Sequence, residues 1–194
     1  MSFRRPHAPE LPVEPPQPGR RRFLAAVGGL CGSLAAFAGA PVLAATRGSR
    51  CVNFVHTHTG ERLRALYFRD GCYQADSLAQ VNELLRDFRT GEVHPIDPGL
   101  LDILFELQTR ADREGPFEVI SGYRSPTTNA MLHRRSEGVA VHSMHLEGRA
   151  IDIRLPGFVT RGLADHARSL RLGGVGYYAR SDFVHVDTGP VRFW

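Results

Sequence analysis

From residue 51 to residue 194 the hydrophobic period switches between two and about 3.6, yet never in a strict alternation of strand with helix. "CVNFVHTHTGERLRALYF" holds two β-rich runs around a Gly-containing turn and reads as a hairpin. "DSLAQVNELLRDFRTGE" sets Leu78, Val81, Leu84, Leu85 and Phe88 at helical spacing, with Asp76 or Ser77 as cap and Gly91 as stop. "DPGLLDILFELQTRADREG" predicts a second helix, capped by Asp97, opened by Pro98 and ended at Gly115. "PFEVISGYRSP" is a strand running into a turn, and "SPTTNAMLHRR" predicts a helix capped by Ser125. "RAIDIRLPG" is a strand burying Ile151 and Ile153, and "TRGLADHARSLRLGG" is a helix closed by Gly173 and Gly174. "VGYY" and "DFVHVDTG" are two last short strands. This mixed order predicts an α+β fold, with a small, mostly antiparallel sheet packed against helices.

The first 44 residues are of another kind. Arg20 and Arg21 precede Phe23-Leu24, a mild Ala/Gly-rich run follows, and "PVLAAT" supplies small residues for cleavage after Ala44. This is the layout of an export signal, and the paired arginines resemble the twin-arginine (Tat) type. The run has too few strong hydrophobes to make a good membrane span. Cys31 follows Leu30, where lipidation wants a small residue. The expectation is a signal at 1–44, a single domain at 45–194, and a periplasmic, monomeric product without stable membrane insertion.

The exported part carries 19 Arg against 18 Asp and Glu. That near balance gives no electrostatic footprint for nucleic acid. It also keeps two cysteines, Cys51 and Cys72, an even number that in an exported protein permits one disulfide, with two reduced, buried thiols as the alternative.

"SMHLEGRAID" places His145 seven residues before Asp152, with Gly148 between them to turn the chain back. "DFVHVD" adds His185 from the last strand. Two imidazoles and a carboxylate form a common catalytic zinc set, with a fourth position left for water. Such a site needs a neighbouring general base. Asp182 lies three residues before His185 and Asp187 two after it. On a regular strand 187 shares the face of 185 and 182 does not, so Asp182 requires a bend at "ARSD". Arg124 in "SGYRSP" follows a strand and could hold a carboxylate or a developing oxyanion.

Taken together, "SGYRS", "HSMHLEGRAIDI" and "GGVGYY…DFVHVDTGPVRFW" resemble the YcbK-type murein endopeptidases. These belong to the superfamily of zinc D-alanyl-D-alanine carboxypeptidases, which also holds VanX-type dipeptidases and the hedgehog signalling fold. The resemblance spans about residues 53–194. It implies a zinc D-Ala-D-Ala peptidase-like fold and one Zn2+ held by His145, Asp152 and His185. It further implies a substrate contact from Arg124, and a general base at Asp182 with Asp187 as the alternative. The implied substrate is the stem peptide of peptidoglycan, cut at a D,D or L,D cross-link. A carboxypeptidase that trims stem peptides and a non-catalytic zinc-containing binding module are the competing readings.

Other residues carry weaker signals. His142 could be a fourth ligand or a proton donor, and reads first as a loop histidine. His56 and His58 lack a third ligand and read as polar hairpin residues; His133 and His166 read as solvated helix residues. Ser143 could hydrogen-bond around the site. Tyr177 and Tyr178 read first as core packing, with a place lining the peptide groove as the alternative for one of them, and Trp194 reads as a cover for the core.

Overall fold

The computed structural model describes residues 48–113, 115–136 and 139–194. The expected export signal at 1–44 lies outside the described residues. Eight strands form one sheet: β1 (Arg50–His56), β2 (Arg62–Arg69), β3 (Cys72–Tyr73), β4 (Phe117–Ser121), β5 (Ala150–Arg154), β6 (Gly174–Tyr178), β7 (Phe183–Asp187) and β8 (Arg192–Phe193). Their spatial order is β3-β2-β1-β4-β5-β7-β6-β8. Among the described residues four α-helices accompany them: α1 (Ala75–Leu84), α2 (Pro98–Arg110), α3 (Pro126–Arg135) and α4 (Thr160–Leu170), with a short 3₁₀ turn at Met144–Glu147.

The α+β class holds, but the sheet is mixed, correcting the expectation of a small, mostly antiparallel one. β1 runs parallel to β4, and β6 runs parallel to β8. A parallel pair needs a long crossover. Between β1 and β4 that crossover contains β2, β3, α1 and α2, so the sequence shows no simple strand–helix–strand unit.

Alternation in the central strands separates two faces. Ile151 pairs with Val186 and Ile153 with Val184, whereas Asp152 pairs with His185. The apolar set joins Val52, Phe54, Tyr67, Phe117 and Val119 under the helices. α1 packs on β2, α2 on β1, and α4 on β6 and β7. Leu100, Leu101, Leu104 and Leu107 of α2 are fully buried there, each worth roughly 1.5–3 kcal/mol in area removed from water. The other face of β5 and β7 is left to polar groups.

Two helix caps are as expected: Asp97 accepts from Gly99 N, and Ser125 accepts from Thr128 N. Other boundaries differ. The cap of α1 is Gln74, with Asp76 inside the first turn, and the helix stops at Leu84 rather than running to Gly91. The carbonyl of Leu85 accepts from Tyr123 N at 2.8 Å, and Asp87 turns inward to take hydrogen bonds from the β4–α3 loop. α2 ends at Arg110, not Gly115, and α4 is closed by Arg171 in the left-handed region rather than by Gly173.

Of the two states left open for Cys51 and Cys72, the structure has free thiols rather than a disulfide. Cys51 lies on β1 and Cys72 on β3, with β2 between them. Two strand spacings come to about 9.6 Å, beyond the reach of a disulfide.

Candidate metal centre

His145 comes from the 3₁₀ turn, Asp152 from β5 and His185 from β7. Ser143 caps the turn and accepts from His145 N, and Gly148 ends it in the left-handed region at φ 65°. A side chain at 148 would also collide with the carbonyl of Pro95. Gly148 therefore turns the chain straight from His145 into β5, and strand pairing places Asp152 opposite His185.

The three side chains converge. His145 Nε2 lies 3.2 Å from Asp152 Oδ1 and 3.2 Å from His185 Nδ1, and His185 Nδ1 lies 2.9 Å from the same oxygen. All three residues are buried. The far side of each ring has its own partner. His145 Nδ1 lies 2.6 Å from the carbonyl of Gly122, which can only accept, so this nitrogen carries the proton. His185 Nε2 lies 3.0 Å from Asp187 Oδ2, so this nitrogen carries the proton on that ring. Each imidazole thus turns a bare nitrogen toward the other and toward a carboxylate oxygen. Three such atoms in mutual contact are satisfied by a shared cation, either a proton or a metal ion. Tetrahedral ligands about 2.0–2.1 Å from an ion stand roughly 3.3 Å apart, close to the spacings here. The donor set fits a metal ion.

The electrostatics agree. Burial pushes the His145 imidazole down to about 4, against the pull of Asp152, which keeps it neutral and available as a ligand. Burial alone would raise Asp152, but His145, His185 and Arg124 hold it well below the usual carboxylate range. His185 is opposed by burial, yet Asp152 and Asp187 raise its proton affinity, so a proton competes with a metal at this ring.

Arg124 is brought to the site as expected. Its Nη2 donates to Asp152 Oδ2 and its Nε to Ser121 Oγ at 2.9 Å. Its backbone N–H donates to the carbonyl of His145 at 3.1 Å. Asp187 is also brought in. It is fully buried and accepts from Gly174 N, Gly189 N and both Nη atoms of Arg192, besides His185. Asp182 is placed elsewhere. The expected bend is present, with Asp182 at φ 51°. Its carboxylate, however, accepts from Thr160 Oγ1 at 2.6 Å and faces Arg154 at 3.7 Å.

A cleft of about 280 Å³ opens over the three ligands, lined also by Arg124, His142, Tyr178, Phe183, Arg192 and Trp194. Tyr178 and Trp194 therefore face the site rather than the core. The Trp194 ring lies 5.4 Å from that of His185, and its Nε1–H donates to Tyr178 OH at 3.0 Å. Tyr177 packs against the core as expected. His56 is buried, and its Nδ1 accepts from His58 N and Thr59 N, so it closes its own hairpin turn.

Asp87, Arg192 and Trp194 carry no signal along the chain that marks them as supports of the site. Asp87 Oδ2 accepts from Ser125 N at 2.9 Å and Ser125 Oγ at 2.7 Å, anchoring the residue next to Arg124. It resembled one more charge on an amphipathic helix.

A family model described as peptidoglycan L,D-endopeptidase MepK matches residues 44–194. The chain is 43% identical over 176 residues to the peptidoglycan L,D-endopeptidase MepK of Escherichia coli (strain K12), an overlap of 90% of this chain and 96% of that protein. The protein of the same name from Shigella flexneri matches to the same extent. A relative from Haemophilus influenzae named "Probable peptidoglycan L,D-endopeptidase MepK" is 45% identical over 146 residues, covering 75% of this chain and 78% of its own length.

Proposed function

Because the chain belongs to the peptidoglycan L,D-endopeptidase MepK family, we propose that it is a zinc metallopeptidase that hydrolyses L,D peptide cross-links of peptidoglycan. The observation that carries the chemistry is the convergence of three unprotonated ligand atoms, His145 Nε2, His185 Nδ1 and Asp152 Oδ1.

Those three residues would hold one zinc ion. A zinc bound there supplies Lewis acidity toward the scissile carbonyl and makes water acidic near neutral pH. The protein supplies everything else. Gly122 and Asp187 fix the two rings in the ligating tautomer. Arg124 restrains the second oxygen of Asp152, leaving the first to the ion. Arg124 also lines the cleft, and its Nη1 has no acceptor among the described residues. That nitrogen is suited to a substrate carbonyl oxygen as negative charge develops on it.

Peptidoglycan lies outside the cytoplasmic membrane, which fits export by the twin-arginine route and a periplasmic site of action. Among the described residues no helix is long and apolar enough to cross a membrane.

The test uses purified muropeptide dimers, one joined by an L,D bond and one by a D,D bond. Enzyme stripped by a chelator should leave both intact, and one equivalent of zinc should restore cleavage of the L,D dimer. Cleavage that survives metal removal would contradict the metallopeptidase reading, and cleavage of the D,D dimer alone would contradict the bond assigned.

A further inference from the structure

Peptide hydrolysis needs a group that takes a proton from the attacking water and delivers one to the departing nitrogen. Neither aspartate expected in this role is free for it. Asp182 binds Thr160 and faces Arg154. Asp187 is fully buried behind His185, with its oxygens taken by Arg192, Gly174 and Gly189. The group must then come from the walls of the cleft. His145, Asp152 and His185 are the ligand set, and a guanidinium offers donors but no acceptor. Tyr178 accepts the Trp194 indole N–H. Among the described residues lining the cleft, the remaining side chain that can both accept and donate a proton through a ring nitrogen is His142.

The placement of His142 is built into the fold. Asn129 of α3 is buried, and its Nδ2 donates to the carbonyls of Ala140 at 3.1 Å and Val141 at 3.2 Å, the two residues before His142. On its other side, Ser143 caps the turn that carries His145, and the carbonyl of Ser143 accepts from Leu146 N at 2.9 Å. The backbone is thus pinned on both flanks. The imidazole itself is exposed and has no hydrogen bond or ion pair with another described residue. A histidine held three residues from a metal ligand, at the wall of the same cleft and without a partner, has the placement and chemistry of a proton-transfer group.

We propose that His142 is the catalytic base and acid of the hydrolysis. This rests on the endopeptidase reading above. His142 takes one proton from the attacking water as its oxygen bonds to the scissile carbonyl carbon. The C–N bond then breaks, and His142 returns that proton to the departing nitrogen. The second proton of the water leaves the new carboxyl group, so the products are a carboxylate and an ammonium ion and His142 is regenerated.

The test compares full-length wild type, His142→Ala and His142→Gln on the L,D-linked dimer, with zinc content measured on each protein. His142 is exposed, so both variants should fold, which their melting temperatures check. The expected result is a 10²–10⁴-fold fall in kcat, with KM and zinc stoichiometry unchanged and partial rescue of His142→Ala by added imidazole. Activity within a few-fold of wild type would overturn the proposal. Loss of zinc from both variants would also overturn it, by making His142 a ligand. If wild type itself fails to cleave the dimer, the endopeptidase reading falls first, and the role of His142 with it.

Discussion

The Nε2 of His185 lies 3.0 Å from Oδ2 of Asp187, and this contact decides which nitrogen of the ring faces His145 and Asp152. Asp187 acts from behind the ligand, fixing the tautomer that leaves Nδ1 bare. Asp187→Asn keeps the volume but weakens the acceptor. Zinc affinity should fall by about 10-fold, measured by competition with a chromogenic chelator, with the fold retained. Unchanged affinity would show that the ring is oriented by something else.

Arg192 holds Asp187 in turn, with Nη2 at 2.7 Å from Oδ2 and Nη1 at 3.1 Å from Oδ1. Arg192→Ala leaves a buried carboxylate short of donors, a loss of about 1–3 kcal/mol. Denaturant unfolding should show that loss, and zinc should bind more weakly than in wild type. A variant as stable as wild type would mean that the pair contributes nothing net.

Gly122 presents the carbonyl that fixes His145, and its Cα faces the backbone of Leu85. A Cβ at 122 would stand 2.5 Å from the Leu85 carbonyl oxygen and 2.9 Å from Leu85 Cβ. Gly122→Ala must push the loop outward and shift the acceptor from His145 Nδ1. The expected outcome is about 1–3 kcal/mol of destabilisation with a loss of activity out of proportion to it, read from melting temperature and kcat/KM. Wild-type kcat/KM would contradict a positioning role for this loop.

Asp87 sets a pH dependence on the other flank. Burial would raise its pKa, but hydrogen bonds from Thr128, Ser125 and Arg89 hold it at about 2. A carboxylate lowered in the folded state stabilises the protein above its unfolded pKa of about 4, and that stability is lost as pH falls toward about 2. The amount is about 2 kcal/mol. Between pH 5 and pH 2, Asp87→Asn should lose about 2 kcal/mol less than wild type in urea unfolding, because it lacks this titration. Equal losses would put the acid sensitivity elsewhere.

His145, Asp152, His185 and Arg124 were legible in the sequence because each lies on or beside a short, strongly patterned strand. The helix caps Asp97 and Ser125 were legible for the same local reason. Contacts distant in sequence were not. The register that sets Asp152 against His185 depends on which strands become neighbours. Asp182 shows the limit well: its bend was readable, but its partner Thr160 belongs to α4, which spacing along β7 does not reveal. The mixed sheet stayed hidden because the parallel β1–β4 pair is separated by two strands and two helices. α1 looked longer than it is because Asp87 and Leu85 bond to the Arg124 loop rather than continuing the helix.

The most direct measurement is digestion of intact sacculi by the zinc-loaded protein beside His145→Ala, with the muropeptides separated by chromatography and identified by mass. The proposed function predicts that L,D-linked dimers disappear with wild type and persist with the variant, whose bare Nε2 is gone. Equal digestion by both proteins, or no loss of L,D-linked dimers with zinc bound to wild type, would contradict it.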